Sequence, residues 1–175
     1  MQLKIFDLQV RQKGILMIEL FSVLAILTIF SVIVLPNFKL MYAKFKAKVV
    51  AQELQQLIQF ARTSAISYGK RVTMCPLNDA SSCGDNWAKG IIVYLNSELT
   101  TKPIKNNILR IITGEPAAYT LQFKAFIGNI SLNFDPDSEF VCQNGSFYYQ
   151  SKRATYNWRL VVNHRGRSRL SQFNE

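Results

Sequence analysis

At 175 residues, the chain has room for one compact domain beyond a membrane segment and no more. Its 21 Lys and Arg against 11 Asp and Glu leave a formal net charge of +10, which favours a polyanionic partner, nucleic acid first. The only histidine is His164, and no serine or cysteine nucleophile motif, P-loop or zinc-helix motif accompanies it, so the chain reads as a non-enzyme without cofactor or metal.

The chain opens with a basic leader, Lys4, Arg11 and Lys13, ending in Lys13-Gly14. From Leu20 to Leu35 no residue is charged, and Ser22, Thr28 and Ser31 are the only hydroxyls. A helix from Ile15 to Leu35 would be about 31 Å long, enough to cross a hydrocarbon core. Glu19 is the oddity. A carboxylate at that depth costs about 2.5 kcal/mol or more and calls for a partner or a function. A secretory signal would need a small-residue cleavage site, which Leu35-Pro36-Asn37-Phe38 does not offer. A plain signal anchor would leave Glu19 unexplained. Leader lysines and arginine place the N-terminus in the cytoplasm; Lys39, Lys44, Lys46 and Lys48 on the far side weaken that argument taken alone.

The run KGILMIELFSVLAILTIFSVIVLPNF resembles the class III signal of type IV pilins and their relatives. Lys13-Gly14 closes the leader, apolar Ile15 begins the mature chain, Glu19 is its fifth residue, and Pro36 stands where the family's helix kinks. The sequence departs from the family at Ile15, usually Phe, and at Met17, commonly Thr. The resemblance implies cleavage between Gly14 and Ile15 by a prepilin peptidase and N-methylation of Ile15. It also implies that Glu19 pairs with the N-terminal amine of a neighbouring pilin during filament assembly. The chain would be a single-pass inner-membrane protein with its head in the periplasm, later entering a pilus or its tip.

After Pro36 a second helical pattern runs to Tyr68. Val50, Leu54, Leu57, Ile58, Ala61 and Ala65 form one apolar stripe, while Gln52, Gln55, Gln56, Gln59 and Arg62 fill the other face. Gly69 sits where a helix cap is expected. The predicted organisation is a removed leader at 1–14, a membrane or filament-core half-helix at 15–36, an amphipathic half at 37–69, and a β-rich head at 70–175. Strands are predicted over Arg71–Cys75, Gly90–Leu95, Ile108–Ile112, Tyr119–Lys124, Ile130–Phe134, Gly145–Gln150, Tyr156–Val162 and Arg165–Leu170. Packing the helix stripe on antiparallel sheet buries both, an α+β fold.

Cys75 and Cys83 flank a turn-rich loop that two thiols could close as a disulfide, favoured in an oxidising periplasm; Cys142 is left over. A metal site competes for the pair, but no second close cysteine pair exists. Ala61-Arg62-Thr63-Ser64-Ala65-Ile66, Val72-Thr73-Met74-Cys75-Pro76, Cys83-Gly84 and the stretch from Trp87 to Tyr94 resemble the GspH/FimT group of minor pilins and pseudopilins. That resemblance implies a long helix packed against a head of two antiparallel sheets. Trp87 then reads as packing.

Near the C-terminus, Arg165, Arg167 and Arg169 alternate, so an extended chain would aim all three to one face. Their guanidiniums suit phosphate, and Gly166 would allow a tight turn that re-aims Arg165. Lys152, Arg153 and Arg159 on the preceding hairpin could extend the patch, and Tyr148, Tyr149, Tyr156 and Trp158 lie near it. A solvated basic edge strand is the competing reading. Gly166-Arg167-Ser168-Arg169 resembles the GRxR motif of FimT-type pilins, which bind DNA during natural transformation. The resemblance implies sequence-independent grip on the phosphates of double-stranded DNA, with Gly166 shaping the turn. Two other readings stand beside it: a structural minor pilin or type II secretion pseudopilin that supports assembly without touching DNA, and an adhesion module for another polyanion.

Overall fold

The two predicted half-helices form one element, α1, Met17–Tyr68. The computed structural model describes residues 17–79, 82–97, 103–126, 130–137, 144–152 and 156–173, with backbone alone for 32–37 and 173. Gly14, Ile15, Cys142 and Arg153 lie outside the described residues. The chain divides into two units, Met1–Lys39 and Leu40–Glu175.

In the first unit every described side chain from Met17 to Ser31 is exposed. The hydroxyls turn back on the helix: Ser22 Oγ donates to the Glu19 carbonyl at 2.8 Å, Thr28 Oγ1 to Ala25 at 2.7 Å, and Ser31 Oγ to Leu27 at 2.8 Å. Back-bonding of this kind satisfies the hydroxyls within the helix, so between 17 and 31 only the Glu19 carboxylate needs something from outside. Among the described residues no helix is long and apolar enough to cross a membrane.

In the second unit the helix stripe is buried as expected, with Leu54, Leu57, Ile58, Ala61 and Ala65 joined by Ala47 and Ala51. Val50 is only partly buried. Gly69, at φ +58°, ends the helix: its N–H donates to the Ile66 carbonyl and that of Lys70 to Ala65, the paired bonds of a left-handed helix stop.

Eight strands follow: β1 Val72–Pro76, β2 Gly90–Leu95, β3 Ile108–Thr113, β4 Tyr119–Ala125, β5 Leu132–Phe134, β6 Gly145–Ser151, β7 Asn157–Val162 and β8 Ser168–Phe173. They form two antiparallel four-stranded sheets, ordered β3-β2-β1-β5 and β4-β6-β7-β8. The helix and both sheets share one core. Val72, Met74, Val93, Leu132 and Phe134 enter from the first sheet, and Leu121, Phe147, Tyr149, Trp158 and Leu160 from the second. Trp87 belongs to it, edge-on to Phe147 with centroids 5.0 Å apart. Trp158 stacks on Tyr149 at 4.9 Å, and its indole N–H donates to the Ala47 carbonyl at 2.9 Å. That carbonyl is already a helix acceptor, and its second lone pair ties the helix to β7. Burial raises the Tyr94, Tyr119 and Tyr149 phenols above their ordinary value, Tyr149 to about 12.

The first sheet is covered on its other face too. Cys75, Ile92 and Tyr94 pack with Leu77, Cys83 and Ile108 into a smaller apolar cluster. The Cys75–Cys83 disulfide, Cα atoms 5.6 Å apart, closes the loop over it. Beside it Thr73 donates to Asn133 Oδ1 at 2.7 Å and accepts from Asn96 Nδ2 at 3.0 Å. Asp135, in the turn that closes β5, accepts a two-pronged bond from Arg71.

The last strand departs from expectation. It begins at Ser168, not Arg165, because a turn takes up residues 163–167.

Candidate nucleic-acid interface

Asn163 builds that turn. Its Oδ1 accepts the N–H groups of Arg165 at 3.1 Å and Arg167 at 2.8 Å, while its own N–H donates to the Arg167 carbonyl at 3.0 Å. The Gly166 N–H closes the turn on the Asn163 carbonyl at 2.9 Å. Side-chain capping by asparagine is a standard way to fix a tight turn. Gly166 sits at φ +69°, where a Cβ is disfavoured, and it is buried. A Cβ there would stand 3.2 Å from Arg62 Cδ. The glycine therefore does two things: it supplies the left-handed residue, and it leaves room for the Arg62 stem to lie across the turn.

The alternation of arginines does not survive as one row. Arg165 and Arg167 flank the glycine in the turn, both exposed, while Arg169 is on β8 opposite Val161. Arg62, half-buried on α1, joins them from 104 positions earlier (166 minus 62). Among the described residues the ion pairs are Lys46–Glu115 and Arg71–Asp135, so none of these four arginines pairs with a described carboxylate. Guanidiniums without counter-charge favour anions such as phosphate.

Lys152 is not part of this group. It follows β6 at the end of the sheet remote from the turn, about six strand positions or roughly 20 Å away. Its Nζ donates to the Pro116 carbonyl at 2.8 Å. Arg159 instead shares a face with Arg169: pairing puts Lys124, Ser146, Val161 and Arg169 in one row and Gln122, Tyr148, Arg159 and Ser171 in the next. Tyr148 points outward here, whereas Tyr149 and Trp158 point into the core. Sequence reading missed Arg62 and Lys124. Among the described residues no group of His, Cys, Asp and Glu could hold a metal ion.

Long helix, two antiparallel sheets and loop disulfide define the fold of a minor pilin or pseudopilin. The family model described as Type II transport protein GspH matches residues 50–166, two thirds of the chain, and the chain belongs to that family. Two crystal structures of the type IV minor pilin FimU of Pseudomonas aeruginosa align at 22% and 23% identity. They cover 71% and 78% of this chain and 91% and 90% of FimU, each with a TM-score of 0.54. The minor pseudopilin EpsH, from the type 2 secretion system of Vibrio cholerae, aligns at 16% identity over 72% of this chain and 96% of its own, with a TM-score of 0.53. Among curated proteins nothing matches.

Proposed function

We propose that this chain is a minor pilin that binds DNA without sequence preference through the turn at Asn163–Arg167, serving DNA uptake in natural transformation. The supporting observation is the pair Arg165 and Arg167 on a capped, glycine-dependent turn, with the Arg62 stem beside Gly166 and Arg169 on the strand that follows, none of them paired with a carboxylate among the described residues. Phosphate contacts alone suffice for such capture, so binding is weak per head and falls steeply with salt. Several heads in one filament add avidity. Processing follows the pilin route: cleavage after Gly14, methylation of Ile15, an apolar anchor in the inner membrane, and Glu19 meeting a neighbouring subunit's amine on assembly. The Cys75–Cys83 disulfide supports an oxidising compartment for the head.

The test is DNA affinity of the full chain in detergent micelles, titrated with salt, for wild type, Arg167→Ala/Arg169→Ala and a Lys152→Ala control. Loss in the double variant with retention in the control supports the turn as a site. Equal weakening leaves only bulk charge, and no binding at low salt moves the function to the second reading. That reading is a structural minor pilin or secretion pseudopilin, favoured by the GspH family match and the EpsH fold. Glu19→Ala impairs assembly under either reading.

A further inference from the structure

We propose that the outward face of the β4-β6-β7-β8 sheet is a second nucleic-acid site, one that takes unpaired nucleotides. It rests on the reading of the head as a nucleic-acid binder but uses the sheet face that borders the turn rather than the turn's own arginines. None of its four strands contains an Asp or Glu. Lys124, Arg159 and Arg169 all project from the outward face, spread over three strand spacings, roughly 14 Å. A groove of about 430 Å³ runs across it, lined by Lys124, Phe126, Tyr148, Arg159 and His164 among others.

The aromatic content argues for the ligand. Phe126 is 89% exposed, an unusual position for a phenyl ring, and its backbone is pinned by its N–H bond to the Asn144 carbonyl at 2.9 Å. Lys124 Nζ and the Arg159 guanidinium lie over the Tyr148 ring at 5.2 and 5.5 Å. Arg159 Nε and Nη2 both donate to Ser146 Oγ at 3.2 Å, which orients the guanidinium and leaves its remaining N–H groups for an incoming oxygen. Cations framing aromatic rings on an open sheet match the chemistry of single-stranded binding, where bases stack and phosphates pair. A duplex hides its bases and draws nothing from Phe126. The groove's volume, within the roughly 300–1,000 Å³ of small-ligand clefts, suits about one or two nucleotides rather than a duplex.

The experiment compares fluorescence anisotropy of the full micellar chain with an oligothymidylate and with a random-sequence duplex. Phe126→Ala is expected to weaken the single strand about tenfold and the duplex less than twofold, since stacking is lost and charge is not. Tyr148→Ala behaves likewise and Tyr148→Phe keeps affinity. Phe126 is too exposed for its truncation to unfold the head. If single-strand affinity is unchanged in both alanine variants, or falls as much for the duplex, the groove proposal is overturned. The Arg165→Ala/Arg167→Ala variant, which leaves Arg169 and the sheet face intact, separates the two readings. Duplex binding that ignores it while oligothymidylate still depends on Phe126 removes the turn and keeps the groove. Duplex binding lost to it, beside an indifferent Phe126→Ala, does the reverse.

Discussion

In the first sheet the outward side chains Thr73, Cys75, Ile92 and Tyr94 are buried, the last three packed with Leu77, Cys83 and Ile108, and Arg71 is paired with Asp135. In the second sheet the outward side chains Lys124, Arg159 and Arg169 stand exposed, and no carboxylate faces them among the described residues. Both sheets have four antiparallel strands on one core. The difference is that Thr73 of the first sheet and Arg71 beside it are bonded to Asn133, Asn96 and Asp135, whereas the outward cations of the second sheet meet no described carboxylate. A face that is finished contributes stability. A face left open, and of one sign, is available to an anionic partner.

The sharpest way to break this comparison is to injure the element that both sheets need. Trp158→Ala should cost about 3–5 kcal/mol, from lost apolar burial and the cavity left behind, read as a lower urea midpoint. Opening the finished face comes next. Cys75→Ser/Cys83→Ser should cost about 2–3 kcal/mol, the loop-closure term for a separation of 8 residues, while nucleic-acid affinity stays within twofold.

Alkaline pH tests the shared core. The Tyr149 phenol is raised from its ordinary 10.0 to about 12, chiefly by burial and then by the charges of Tyr119 and Glu115. Folding therefore disfavours the tyrosinate: this stability is fully present below pH 10 and is lost as pH rises through about 12, roughly 2–3 kcal/mol in all. Denaturation midpoints across that window should fall less in Tyr149→Phe. Gly166→Ala should cost about 1–2 kcal/mol through backbone strain and, by pushing Arg62 aside, weaken DNA more than its stability loss explains. The smallest effect belongs to the unfinished face. Lys124→Gln should change stability by about 0.5 kcal/mol or less and lower the salt slope of single-strand binding by about 1.

Much of this architecture was legible in the sequence, and what was not has identifiable causes. The stripe from Leu54 to Ala65 and the stop at Gly69 follow from helical period and glycine chemistry, and the structure keeps both. The eighth strand was misplaced because Arg165, Arg167 and Arg169 alternate with the same period as a strand. Only Asn163 capping two N–H groups and Gly166 at positive φ reveal a turn. Lys124 was passed over because it becomes a neighbour of Arg169 through strand order alone: β5 leaves for the other sheet, and β4 pairs with β6. Arg62 read as one more polar helix residue, since nothing local announces a contact with a glycine so far along the chain.

The hydrogen bond from the Trp158 indole to the Ala47 carbonyl has a mechanical meaning. A tug along the helix axis would load that bond, whose donor sits on β7, the strand that carries Arg159 and runs into Asn163. Within the head, this bond is one directional link, beside the shared apolar core, between the helix and the strand that leads to the turn. Trp158→Phe, which keeps the packing and deletes the donor, should lower the force at which the helix peels from the sheet more than it lowers the equilibrium stability.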